Sequence, residues 1–264
     1  MIKKHTILLA LAFCTLTSFV LLQGRKPILY IIGDSTVRNG DGSGKNKQWG
    51  WGSFMYKYFD TTEISVRNHA IGGRSSRTFL TEGRWQTILN DLRKGDIVLI
   101  QFGHNDAGPL DDTARARGTI RGIGNESKDI YNPIRKQNET VYTYGWYMRK
   151  YIREAREKGA IPYVCSPVPR DNWTPEGKAK RGNADYAGWA KQIALEEKAC
   201  FIDLNNLIAD KYDELGKEKV APLFFGDHTH TSEAGAKLNA SIVATELQKK
   251  GECSLDKYMY IILP

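Results

Sequence analysis

The sequence predicts an α/β fold in which a parallel β-sheet is covered by helices on both faces. Short apolar runs bounded by glycine or polar turns recur along the 264 residues, and longer stretches with helical spacing separate them. Strands that alternate with helices are typical of a parallel sheet. Near-continuous apolar strands are expected where both faces of the sheet are buried. The runs are PILYIIG (27–33), ISVRNHA (64–70), DIVLIQFG (96–103), AIPYVCS (160–166) and CFIDL (200–204).

Two stretches predict long helices, and two others do not fit a simple alternation. Residues 140–159 close on Gly159 after cationic residues, and residues 232–251 end on Gly251, both of which are helix C-terminal signals. Residues 106–138 have no sustained periodicity, which predicts a long loop, either the rim of a binding site or a plain surface insertion. The apolar C-terminus, 253–264, is expected to dock on the body of the protein.

The first 24 residues have the layout of a secretory signal peptide, and residues 25–264 are expected to form one domain. Lys3 and Lys4 precede an apolar stretch, 7–22, which is short for a membrane span. These features predict a secreted or periplasmic protein. A buried N-terminal helix, an uncleaved anchor and a lipoprotein signal at Cys14 are the alternatives.

The remaining composition limits the partners. The formal net charge is +8, and loss of the two leader lysines would lower it to +6. A basic exported domain suits an acidic polysaccharide, although a solvated basic surface is the simpler explanation. No nucleic-acid recognition motif is found, so we expect no nucleic-acid partner. We also expect a monomer with no stable membrane partner apart from the leader. The leader aside, three cysteines permit at most one internal disulfide and match no metal-binding spacing; they are Cys165, Cys200 and Cys253.

Three of the predicted strands end at residues suited to acyl transfer. Ser35 follows the first strand in GDSTV, Gly73 follows the second in AIGGRSSR, and Asn105 follows the third in QFGHND. Ligands of parallel sheets bind outside the carboxyl ends of the strands. Acyl transfer requires a nucleophile, such as a hydroxyl, and N–H donors that stabilise the developing oxyanion. A glycine can supply such a donor, because without a Cβ its amide can approach a ligand closely. A polar turn or helix cap is the alternative interpretation of the first cluster.

A second polar cluster, GDHTHTSEAGA at 226–236, supplies a base for the serine. We expect His230 to take the proton and Asp227, three residues earlier, to hold its other ring nitrogen. His228, adjacent to the acid, is worse placed. Two alternatives remain open: Asp227 and Thr231 as helix caps, or Asp227, His228 and His230 as metal ligands.

The blocks GDST, GGRS, GHND and DHTHTSEAG, in this order, resemble the four blocks of the SGNH or GDSL hydrolases. The chain is most similar to the rhamnogalacturonan acetylesterases, over about 27–250. The resemblance implies a three-layer α/β/α sandwich around a five-stranded, flavodoxin-like parallel sheet, with residues 25–264 as the catalytic domain. The second block departs from the common G-x-x-x-N pattern and matches the acetylesterase branch.

The resemblance also implies roles for particular residues. Ser35 is the expected nucleophile, with Asp227 and His230 completing the triad. The amide of Ser35, Gly73 and Asn105 are the expected oxyanion donors. No metal or cofactor is required.

The expected substrate is an acetylated acidic polysaccharide, and several side chains are candidates for binding it. His104 lies beside the expected oxyanion donor. Tryptophans can stack on sugar rings, and arginines can bind galacturonate carboxylates. The candidates are Trp49, Trp51 and Trp173, together with Arg74, Arg77, Arg84, Arg115, Arg117 and Arg121. A xylan acetylesterase, a lipid acyl hydrolase and a non-catalytic carbohydrate-binding protein are the alternatives.

Overall fold

The structure, a computed structural model, describes residues 25–249 and 251–261. The predicted leader at 1–24, with Cys14, lies outside the described residues. Within the described ranges, no helix is both long and apolar enough to cross a bilayer.

In the described residues, seven strands and seven α-helices are connected by turns and three short 3₁₀ helices. The strands are β1 Ile28–Gly33, β2 Ser65–Asn68, β3 Ile97–Gln101, β4 Ser127–Asn132, β5 Gln137–Tyr142, β6 Ile161–Cys165 and β7 Cys200–Ile202. The α-helices are α1 Ser76–Thr81, α2 Arg84–Asp91, α3 Tyr144–Glu157, α4 Tyr186–Glu196, α5 Leu204–Leu215, α6 Lys217–Val220 and α7 Glu233–Gln248. The 3₁₀ helices are Trp51–Tyr58, Ala221–Leu223 and Asp256–Tyr258.

The five predicted apolar runs form one parallel sheet with the order β2-β1-β3-β6-β7. The chain leaves β1 for β2 on one side and returns to β3 on the other side of β1. The connections that follow β1 and β3 therefore diverge, which opens a crevice at the carboxyl ends of these two strands. This crevice is the place where the sequence predicts the site.

Both faces of the sheet are buried, as near-continuous apolar strands predict. Leu29 and Ile31 of β1 pack on one face with α5, α7 and the 3₁₀ helix at Trp51–Tyr58. Tyr30 and Ile32 pack on the other face with helices α1 to α4. The three-layer α/β/α architecture is confirmed.

The predicted long loop contains an antiparallel hairpin of β4 and β5, which pair from Ser127 with Tyr142 to Asn132 with Gln137. The hairpin gives little sequence signal because most of its side chains are exposed. Strand β5 also includes residues 140–142, the start of the stretch 140–159 that was predicted as a helix. Helix α3 begins at Tyr144, after Thr143 accepts a hydrogen bond from the Trp146 amide through its hydroxyl.

Residues 253–260 dock on the body, as predicted, whereas 262–264 lie outside the described residues. A disulfide joins Cys253 to Cys200 at the start of β7. Leu255 and Met259 are buried in the core beneath α7. Among the described cysteines only Cys165 is free, and burial raises the pKa of its thiol well above the ordinary range.

Candidate active site

The chain turns sharply at the end of β1, and Ser35 lies in this turn. The carbonyl of Asp34 accepts hydrogen bonds from the amides of Val37 (3.1 Å) and Arg38 (3.0 Å). The side-chain Oδ1 of Asp34 accepts hydrogen bonds from the amide and the hydroxyl of Thr36, both at 2.8 Å. The polar-turn interpretation is therefore correct for Asp34 and Thr36. The hydroxyl of Ser35, a residue with 9% exposure, remains available for another partner.

That partner is His230, which is 195 positions away in the sequence. Ser35 Oγ lies 2.9 Å from His230 Nε2, and His230 Nδ1 lies 2.6 Å from Asp227 Oδ2. A carboxylate can only accept, so the Nδ1 atom must donate to Asp227. The neutral ring then has its Nε2 lone pair directed at the serine hydroxyl. The arrangement can remove the proton of Ser35 during attack on a carbonyl carbon.

The carboxylate of Asp227 also fixes the local backbone. Its Oδ1 accepts the amides of Thr229 and His230, both at 2.7 Å. Partial burial raises the pKa of Asp227, but the hydrogen bonds from His230 and these amides outweigh it and leave the pKa below its ordinary value. Asp227 therefore stays ionised at neutral pH and stabilises a protonated His230.

We name residues 225–232 the histidine loop. Its far end is held by Trp49, whose amide donates to Thr231 O and whose carbonyl accepts the Thr231 hydroxyl, both at 2.8 Å. Ser232, not Asp227 or Thr231, caps helix α7 by accepting the Gly235 amide. The Trp49 ring packs on Phe54, with centroids 5.1 Å apart. Trp49 therefore connects the histidine loop to the 3₁₀ helix that contains Phe54.

Residues next to Gly73, one of the predicted oxyanion donors, contact Ser35 and the other donor, Asn105. Asn105 is 9% exposed, and its Nδ2 donates one hydrogen bond to Arg74 O at 2.9 Å. A side-chain amide nitrogen has two N–H donors, so a second remains for a ligand. Gly72 passes so close that a Cβ there would lie 3.5 Å from the Cβ of Ser35. Gly73 has a φ of +79°, a left-handed conformation that favours glycine.

His104 occupies a supporting position rather than the substrate contact predicted for it. Its side chain is 6% exposed, and both ring nitrogens face protein atoms. Nδ1 lies 3.3 Å from Asp34 Oδ2, and Nε2 lies 3.0 Å from Val168 O. Burial raises the pKa of Asp34, but His104 and the Thr36 donors outweigh this effect. The pKa of Asp34 therefore lies below its ordinary value. His104 thus joins the turns that follow β1, β3 and β6.

The predictions for two other substrate-binding side chains are wrong. Arg77 is fully buried and binds Glu139 Oε1 at 2.7 Å. Trp51 is also fully buried, and its Nε1 donates to Gln101 Oε1 at 2.9 Å. Arg74 stays at the edge of the site with 32% exposure, but its guanidinium pairs with Glu82 at 3.0 Å.

Asp106, which follows Asn105 directly, was not among the residues predicted for the site. Asp106 is fully buried, and its Oδ1 accepts the Ser76 amide at 3.1 Å, whereas its Oδ2 has no partner among the described residues. Burial raises the pKa of Asp106 to about 7. The last residue of the GHND block was the available signal. In residues 25–249 and 251–261, no three His, Cys, Asp or Glu side chains are grouped to hold a metal ion.

Comparisons with known proteins identify the family. The sequence model of the GDSL-like Lipase/Acylhydrolase family matches residues 31–238. The probable rhamnogalacturonan acetylesterase YesY of Bacillus subtilis is 36% identical, over 84% of this chain and 93% of that protein. The rhamnogalacturonan acetylesterase of Emericella nidulans is 32% identical, over 90% of this chain and 91% of that protein. The crystal structure of B. subtilis YxiM matches with a TM-score of 0.68 at 29% identity, over 85% of this chain and 56% of that one. The chain belongs to the GDSL-like lipase/acylhydrolase family.

Proposed function

We propose that this protein is a serine esterase that removes acetyl groups from acetylated rhamnogalacturonan through an acyl-enzyme. The observation that carries the proposal is the continuous hydrogen-bonded chain from Ser35 through His230 to Asp227. Two relatives above 30% identity bear the name rhamnogalacturonan acetylesterase, which supports this substrate class. The positive formal net charge, +8 for the whole sequence and +6 without the two leader lysines, suits an acidic polymer.

In the proposed reaction, Ser35 Oγ attacks the acetyl carbonyl carbon while its proton passes to His230 Nε2. Asp227 stabilises the resulting imidazolium. The carbonyl oxygen becomes an oxyanion and accepts hydrogen bonds from the amides of Ser35 and Gly73 and from Asn105 Nδ2. His230 then protonates the sugar oxygen as its bond to carbon breaks, which leaves acetyl-Ser35. Water, deprotonated by His230, cleaves this ester and releases acetate.

We further propose that the protein acts outside the cytoplasm. The leader at 1–24 has the layout of a secretory signal. The Cys200–Cys253 disulfide is consistent with this location, because disulfides persist in oxidising compartments.

The test is acetate release from acetylated rhamnogalacturonan, acetylated xylan and esters of longer acyl chains. We expect wild type to favour the pectic polymer and Ser35→Ala to lose the activity, whereas Ser43→Ala, at an exposed loop position, should match wild type. Covalent labelling by a phosphonate should occur in wild type and be absent in Ser35→Ala. Equal labelling of both proteins would contradict Ser35 as the nucleophile, and a preference for xylan or longer acyl chains would contradict the substrate.

A further inference from the structure

A cavity of about 260 Å³ lies beside the candidate active site. It is lined by the start of the connection after β3, by both ends of the connection from β6 to α4 and by the first residues of α4. These walls approach closely at Gly103, where a Cβ would lie 2.5 Å from Pro167 and 3.1 Å from Tyr186. The connection after β6 also borders the histidine loop, because the Asp171 amide donates to His228 O at 2.8 Å. The cavity and the hydrogen-bonded chain from Ser35 to Asp227 therefore share their supporting loops.

Arg170 lines this cavity and lacks an acidic partner. Its Nη2 donates only a long hydrogen bond, 3.4 Å, to His104 O. Its Nε is buried and has no hydrogen-bond partner in the described part of the chain, where Arg170 also forms no ion pair. Arg181, in the same wall, is instead neutralised by Asp210 and Asp213. A buried N–H without a partner is costly and uncommon in proteins, so it points to a ligand.

We propose that this cavity binds one uronic acid unit of the substrate and that Arg170 binds its carboxylate. The inference rests on the proposed function, because it names the part of a pectic chain that the enzyme recognises. A planar guanidinium matches a carboxylate through parallel N–H donors. Asn172 and Asp185, also in the wall, supply polar groups for sugar hydroxyls. The volume lies below the range of drug-sized pockets and suits a single sugar ring.

The experiment compares three acetyl esters: an acetylated rhamnogalacturonan oligosaccharide, the same oligosaccharide with its carboxyl groups reduced to alcohols, and p-nitrophenyl acetate. We expect Arg170→Gln to raise KM for the native oligosaccharide by roughly 10-fold to 100-fold, the effect of losing a charge-assisted hydrogen-bonded pair. KM for the reduced oligosaccharide and turnover of p-nitrophenyl acetate should stay at wild-type values. Arg170→Lys should recover part of the loss. Arg93→Gln, at an exposed arginine that precedes β3 and so lies at the opposite end of the strands, is the matched control for charge.

A direct binding measurement separates this inference from the proposed function. Unacetylated rhamnogalacturonan oligosaccharide should bind the Ser35→Ala protein in calorimetry and should bind the Ser35→Ala, Arg170→Gln protein roughly 10-fold or more weakly. Failure of wild type to deacetylate the polymer while it hydrolyses p-nitrophenyl acetate would overturn the proposed function alone. Equal binding with and without Arg170 would overturn the subsite. A parallel loss of activity on all three esters in Arg170→Gln would also overturn it, because it would show that Arg170 only supports the His104 backbone.

Discussion

Asp106→Asn should change how stability depends on pH without disturbing the fold. The carboxyl is fully buried next to Asn105, and only its Oδ1 has partners, the amide and hydroxyl of Ser76. Asparagine keeps an acceptor oxygen for these two donors. Its nitrogen replaces Oδ2, which has no partner within the described residues. The substitution therefore removes the titration and retains the local contacts.

The direction in which stability changes with pH follows from the raised pKa of Asp106. Burial raises the pKa of Asp106 from an ordinary 3.8 to about 7. Between these values the unfolded chain has lost this proton while the folded protein still holds it. The contribution of Asp106 to the free energy of unfolding of wild type is therefore fully present below about pH 4 and is lost as pH rises to about 7. A shift of this size corresponds to about 4 kcal/mol, since one pKa unit is about 1.4 kcal/mol.

Urea unfolding at pH 4.5, 6 and 8 measures this effect. The free energy of unfolding of Asp106→Asn, relative to wild type, should rise with pH by up to about 4 kcal/mol and level off above pH 7. Groups that do not interact with Asp106 titrate alike in both proteins and cancel in the difference. Asp111→Asn, at an exposed position, should run parallel to wild type. A difference between Asp106→Asn and wild type that does not vary with pH would contradict the raised pKa of Asp106.

Four further predictions concern the site and the C-terminus. Asn105→Ala should lower kcat for p-nitrophenyl acetate by ~10²–10³ with little change in KM, and an unchanged kcat would remove Asn105 from the oxyanion hole. Asp227→Asn should lower kcat by up to ~10⁴, because the preferred tautomer of His230 is lost, and a wild-type rate would contradict that role. Hydrolysis should decline on acidification because only a neutral His230 accepts a proton, so a flat acid limb would argue against a histidine base. Replacing Cys200 and Cys253 by serine should lower the free energy of unfolding by about 4 kcal/mol in urea, given a separation of 53 residues, and unchanged stability would contradict this.

The apolar runs located the parallel sheet because burial on both faces leaves a signal in each strand. Leu29 and Ile31 meet one layer of helices while Tyr30 and Ile32 meet the other, so no polar alternation interrupts β1. The β4–β5 hairpin lacked this signal. Only Ile130, Asn132 and Val141 are buried among its side chains, too few to show a period.

The arginines show what sequence alone does not reveal about the site. Arg77 and Arg170 both follow predicted strands, and nothing local distinguishes them. Arg77 meets Glu139, which is 62 positions away, in a buried ion pair. Arg170 meets no acid among the described residues. Whether an arginine is neutralised depends on the acid that the fold brings to it. The sequence around the arginine does not indicate that distant partner.

Two acids of the candidate site show that one carboxylate can both fix its own turn and contact a histidine. Asp34 uses Oδ1 to bind Thr36 in its own turn and directs Oδ2 at His104. Asp227 uses Oδ1 to bind the amides of its own turn and directs Oδ2 at His230. A carboxylate fixed by local N–H donors loses its rotational freedom before it meets the imidazole, so the second oxygen is aimed at little further entropic cost. The role in the turn and the orientation of the histidine are therefore not competing interpretations here, because the first produces the geometry that the second requires.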